Sequence, residues 1–311
     1  MPAAQEGSMM GIGFRLALAA GTLALAAGTL QAQVGSRSSE LEQRSQAKQT
    51  VSYGTDPLQT LDFWPATHAA IGKAPLVLFV HGGGWKRGDK RMMDGSDKLS
   101  HWREQGYAVA SMNYRLVPEA TVEQQANDVT AALALLKSRA AAFGIDPARL
   151  ALVGHSAGAH LVALVGTDPQ YLRGAGLGFG DVVGIVPLDG AAYDVPAQLS
   201  EGPRIMQKTY AQAFGSDPAR QRALSPTHQA GAPNAADFLI LHVERDDGER
   251  QAAALAAALR QSGTAATVHG FGGKGLRGHA AINRDLGDPA YPATPVVDAF
   301  LAQVFRQPVA R

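Results

Sequence analysis

Past residue 50 the chain alternates two kinds of segment. Short runs in which nearly every position is apolar fall at residues 74–80, 107–112, 181–188 and 238–243, with another leading into Gly154. Between them lie longer stretches, at 97–105, 121–143 and 250–262, in which apolar residues recur with helical spacing. The apolar runs read as strands buried on both faces, and the periodic stretches as helices that cover them. Strand and helix in strict alternation predict an α/β fold with a mostly parallel sheet covered by helices on both faces. Residues 51–54 and 61–65, around the turn pair Asp56-Pro57, predict a short antiparallel pair that begins the sheet. A strand at 267–271 and a helix at 296–305 close the domain. Residues 189–233 are less regular and too long for a plain loop, so they predict a cap-like insertion across the end of the sheet.

The first fifty residues follow another pattern. Arg15 precedes an unbroken stretch of Leu, Ala, Gly and Thr at 16–30, followed by Gln31-Ala32-Gln33. This predicts a secretory signal peptide over 1–32 and an exported protein, periplasmic or secreted. The stretch is shorter than the roughly 20 apolar residues a membrane span needs, so no stable span is expected after cleavage. Residues 33–50 are polar and predict an exposed leader, which leaves 51–311 as the folded domain.

Composition narrows the function classes. With 28 basic and 27 acidic residues among 311 the net charge is +1, without long runs of either sign, which offers nucleic acid no electrostatic footing. There is no cysteine, so disulfides and thiol chemistry are excluded. His155 and His160 stand five apart and do not give a zinc-ligand spacing, and no metal or cofactor is expected.

The chemistry gathers around Gly154-His155-Ser156-Ala157-Gly158, a G-x-S-x-G turn between an apolar run and a helix. A turn this tight lifts the serine hydroxyl clear of the sheet and leaves its neighbours almost no room for side chains. Upstream, His81-Gly82-Gly83-Gly84-Trp85 follows a strand. Its bare backbone N–H groups, with that of Ala157, can converge on a developing oxyanion. A phosphate loop is excluded because no G-K-[ST] follows and the spacing is not G-x-G-x-x-G. Downstream, Glu244 to Glu249 contains four carboxylates, and His279 follows the last strand in a glycine-rich stretch expected to be a flexible loop. His269 is the rival base, but it falls inside the predicted strand.

H-G-G-G-W at 81–85, N-Y-R-L at 113–116, G-H-S-A-G at 154–158 and G-H at 278–279 resemble the α/β-hydrolase fold. They are most similar to its HGGG carboxylesterases, near the arylformamidase-like and feruloyl-esterase-like groups. The resemblance implies an eight-stranded sheet and an order of Ser, acid, His along the chain. It implies Ser156 as nucleophile, His279 as base, and Gly83, Gly84 and Ala157 as oxyanion donors. It places the acid at Asp246, with Asp247 as the alternative and Asp189, after the preceding strand, as an outside candidate. The implied partner is a small-molecule ester. A formamide-cleaving amidase and a non-catalytic binding protein are the alternatives on this fold.

Overall fold

The computed structural model describes residues 48–68 and 73–306. The expected signal peptide and nearly all of the polar leader lie outside the described residues. Eight strands form one sheet: β1 (Gln49–Ser52), β2 (Thr60–Trp64), β3 (Ala74–Val80), β4 (Ala108–Met112), β5 (Ile145–His155), β6 (Gly184–Leu188), β7 (Asp237–Glu244) and β8 (Ala265–Lys274). Their spatial order is β1-β2-β4-β3-β5-β6-β7-β8. The pairings β1–β2 and β2–β4 are antiparallel and all the others are parallel.

Strand β3 shows why both faces of this sheet must be covered. All seven of its residues are buried. Leu76, Leu78 and Val80 join one hydrophobic cluster, and Val77 and Phe79 join another. Alternate side chains point to opposite faces of a strand, so a continuous apolar run requires two cores. The first core includes residues of the helices Val122–Ser138, Ala157–Thr167 and Asp246–Gln261. The second includes residues of Asp97–Glu104, Gly275–Arg284 and Ala293–Arg306.

Local signals account for where the helices begin. Thr121 and Gln124 form a reciprocal capping box ahead of Val122–Ser138. The short helices Pro169–Gly174, Pro218–Ala223 and Pro226–Gln229 each open on a proline, whose fixed φ suits the first turn and whose missing N–H needs no partner there. The last two, with Val195–Glu201 and Gln207–Phe214, make up the irregular region between β6 and β7. Among the described residues no helix is long and apolar enough to cross a membrane.

Two elements differ from the sequence reading. The helix after β7 begins at Asp246, not near residue 250, with Asp246, Asp247 and Glu249 in its first turn. Carboxylates at that end complement the helix dipole, so the charged run starts a helix where a loop was expected. Gly275–Arg284 is also a helix rather than a loop. Its two buried residues, Gly278 and Ile282, are four apart and so share one face.

Asp128, almost fully buried, accepts from Arg115 Nε and Nη2, from the Arg115 backbone N–H and from Gln59 Nε2. This ties the N-Y-R-L segment after β4 to the long helix. Arg115→Met should lower unfolding stability by about 3 kcal/mol, because it leaves a buried carboxylate short of its counter-ion. Urea unfolding checks this, and a midpoint equal to the wild type would contradict it.

Candidate active site

The site lies at the C-terminal ends of the parallel strands. The ladder pairs His155 with Leu188, and Leu188 with Leu241. Ser156 N–H donates to Leu188 O at 3.0 Å, and Asp189 N–H to Leu241 O at 2.8 Å. Ser156 and Asp189 are thus the first residues past two adjacent strand ends.

Ser156 takes φ 57°, ψ −116°, a backbone a side-chain-bearing residue adopts only under constraint. The constraint is close backbone packing. A Cβ on Gly154 would stand 2.3 Å from Gly158 O, and one on Gly158 would stand 2.1 Å from Val80 O. Ala157 is the first residue of its helix, so its N–H has no carbonyl within that helix to bond and is free to serve a ligand.

The glycine segment after β3 is held from both sides. Gly83 and Gly84 have φ 131° and 63°. The His81 ring stacks on Tyr114 with centroids 4.3 Å apart, and the Tyr114 hydroxyl donates to His81 O at 3.0 Å. Trp85, itself at φ 61°, donates from Nε1 to His160 Nδ1 at 3.3 Å and packs edge-on against Phe214 at 4.8 Å. His160 Nε2 donates to Leu224 O at 2.9 Å, so one imidazole joins the glycine segment, the Ser156 helix and the cap.

His279 turns Nδ1 toward Asp189 Oδ2 at 2.5 Å. Its backbone carbonyl accepts from His155 Nε2 at 2.9 Å, and the two imidazoles lie 4.6 Å apart. With Nδ1 so engaged, Nε2 is the nitrogen left to serve Ser156, which lines the same cavity. The carboxylate that reaches His279 is therefore Asp189 and not the expected Asp246. The physical reason is the helix start described above. Asp246 is exposed in its first turn, and Asp247 is buried there, bonded by Gln198 Nε2 at 3.0 Å. Asp189 is fully buried at φ 42°, and its Oδ1 also accepts from Val243 N–H at 3.2 Å. His269 lies on the exposed edge strand β8, opposite Leu241.

Arg245 was not singled out from the sequence. Its Nε lies 3.2 Å from Asp189 Oδ2, its Nη2 donates to Gly190 O at 3.0 Å, and its Nη1 is 3.9 Å from Asp247 Oδ2. Burial pushes the Asp189 carboxyl up, but the His279 hydrogen bond and the Arg245 charge outweigh it and hold the group below its usual value.

The cavity has a volume of about 450 Å³ and is lined by Ser156, His279, Gly84 and Trp85. Ile205, Met206, Tyr210 and Leu276 give it an apolar wall, and Glu201, Asp246 and Arg250 a charged side. Tyr193, Tyr210 and Phe214, all between β6 and β7, belong to the first core, and Tyr210 also lines the cavity.

With this geometry the class of protein is defined: the chain has the α/β-hydrolase fold, with a glycine segment, a tight serine turn and a histidine–carboxylate pair at the strand ends. The BD-FAE family model matches residues 61–175. Esterase LipC of Mycobacterium tuberculosis is 32% identical over 207 residues, covering 64% of this chain and 51% of that protein. A probable isoprenylcysteine alpha-carbonyl methylesterase, ICMEL1, of Oryza sativa is 37% identical over 119 residues, 38% of this chain and 27% of its own length. The chain spans about half the length or less of these curated relatives. Among solved structures, esterase B from Lactobacillus rhamnosis superposes with TM-score 0.68 at 21% identity, over 89% of this chain and 94% of its own. A truncated carbohydrate esterase from gut microbiota gives TM-score 0.70 at 22% identity, over 84% and 97%.

Two outcomes follow from the site. Asp189→Asn should slow covalent labelling of Ser156 by a fluorophosphonate roughly 10⁴-fold, whereas Asp246→Asn should stay within about tenfold of the wild type. The reverse ranking would return the acid to Asp246. The second concerns pH. Burial pushes His81 and His160 down to about 4, and burial together with the neighbouring His279 pushes His155 down to about 3. Depressed folded values mean that the unfolded chain takes up protons first, near pH 6.5, so these groups' stabilising contribution is full above that pH and falls as pH drops toward 4. The urea midpoint should therefore be lower at pH 4.5 than at pH 7. An unchanged midpoint would contradict the neutral assignment of the three imidazoles.

Proposed function

We propose that the chain is a carboxylic ester hydrolase acting through a serine acyl-enzyme. The observation that carries this reading is the placement of Ser156 on a strained elbow in one cavity with His279, whose other ring nitrogen is held by Asp189 at 2.5 Å. The names of the relatives support it, since LipC and the methylesterase are both ester-cleaving by title.

In this reading His279 Nε2 takes the Ser156 proton as Oγ bonds to the ester carbonyl carbon. Asp189 holds the imidazole in the Nδ1–H tautomer and stabilises the imidazolium that forms. The carbonyl oxygen becomes an oxyanion facing the N–H groups of Gly83, Gly84 and Ala157, where each donor contributes on the order of 10²–10³ in rate. The tetrahedral intermediate collapses, and His279 Nε2 protonates the departing alcohol oxygen. Water then gives a proton to His279 Nε2 as its oxygen adds to the acyl carbon, and the second tetrahedral intermediate releases the acid by expelling Ser156 Oγ, which takes that proton back from His279. The apolar stretch at 16–30 supports export as part of the same reading.

Turnover of a short p-nitrophenyl ester tests the proposal. Ser156→Ala should lose nearly all of the activity and all fluorophosphonate labelling. Undiminished turnover in that variant would remove the assignment.

A further inference from the structure

Asp189 has two cationic neighbours in the acylating cycle, and only one of them is used by the chemistry above. His279 approaches Oδ2 from the helix Gly275–Arg284, and Arg245 approaches the same oxygen from the residue preceding the helix Asp246–Gln261. The Arg245 side chain is about one-tenth exposed and Asp189 is fully buried. The Nε contact at 3.2 Å lies outside hydrogen-bond alignment, so it is ionic, whereas Nη2 is anchored on Gly190 O. The guanidinium thereby grips both the carboxylate and the peptide immediately after it, at a residue with φ 42°. Gly248 makes room for this arrangement: a Cβ there would stand 3.0 Å from Arg245 Nη2 and 3.3 Å from Asp189 Oδ1.

We propose that Arg245 is a positioning residue that fixes the Asp189 carboxylate and lowers the pH at which His279 takes up a proton. A carboxylate alone beside an imidazole raises its proton affinity, and a buried fixed cation on the same carboxylate opposes that rise. The pair then stays in its reactive form, with neutral imidazole and ionised carboxylate, down to a lower pH. An arginine suits this task because its charge persists across the working range.

The other groups around the pair do not duplicate Arg245: of the charged residues that line the same cavity, Arg250 is paired with Glu201 at 3.3 Å, and Glu244 and Asp246 carry negative charge. His155, at the end of β5, is pushed toward the neutral form, with its Nε2 on His279 O. Asp247 is 3.9 Å from Arg245 and adds negative charge to that side. Lys98 reaches the His279 helix only at its far end, donating to Asn283 O at 2.7 Å. Burial and the Asp189 charge push the Tyr193 phenol up, and burial with the charges of Asp285 and then Asp189 pushes the Tyr291 phenol up, so these remain neutral.

The catalytic consequence rests on the ester-hydrolase reading, whereas the titration of His279 does not. The His279 ring resonance, assigned by its loss in His279→Gln, is followed by NMR against pH in the wild type, Arg245→Gln and Arg245→Lys. Removing the charge should raise the titration midpoint by about one unit or more, and Lys should return most of the shift. Gly248→Ala, which displaces the guanidinium without removing it, should move the midpoint the same way by less, and it covers the case in which Arg245→Gln does not fold. Midpoints that superimpose on the wild type would overturn the proposal. On an ester, the acid limb of kcat/KM should move with the NMR midpoint. A change confined to KM with an unmoved midpoint would make Arg245 a substrate contact and also overturn it. If the wild type turns over no ester, the ester reading falls while the titration still decides the role of Arg245.

Discussion

The site depends on a place where three backbone segments meet with no side chain between them. Gly158 lies against the carbonyl of Val80, Gly154 against Gly158, and a Cβ on Gly82 would fall 3.0 Å from that of Ser156. This close approach lets the chain leave β5 through a residue at φ 57° and enter a helix within one step. The strain at Ser156 persists because the strand on one side and the helix on the other are both buried in the largest core. The glycine segment after β3 is drawn in by the same contacts, so elbow and glycine segment are one packing arrangement.

Much of this was legible in the sequence because it was written in local terms. Continuous apolar runs placed the strands, and the glycines of 82–84 and 154–158 marked where backbones must touch. The carboxylate paired with His279 was different. Four carboxylates between Glu244 and Glu249 drew attention, yet that run is what a helix N-terminus favours, and Asp246 and Asp247 are used there. Asp189 carries no local mark beyond following an apolar strand. Its claim arises from the order of strands in the sheet, since β6 lies beside β5 and register sets Leu188 opposite His155. Strand order is a long-range property, and one sequence does not display it.

The helix around His279 was missed for a related reason. Gly275 and Gly278, after the strand expected at 267–271, read as part of a flexible loop. Gly278 instead serves close packing: a Cβ there would meet Gly273 O at 2.2 Å. Glycine does not distinguish freedom to move from absence of room, and only the surrounding structure tells the two apart.

Ser156 and Asp189 are tied by the ladders of three adjacent strands, since each donates its N–H to the neighbouring strand. Their separation is fixed by the sheet. His279 has no such tie and arrives on a helix after the edge strand β8. That helix is held by the His155 bond to His279 O, by Lys98 on Asn283 O and by Ile282 in the second core. The His155 bond is the telling one, because the residue that makes it is the immediate neighbour of Ser156. A displacement of the elbow is thus passed to the backbone of His279 as well as to Ser156, so the two are positioned together although they stand 123 residues apart.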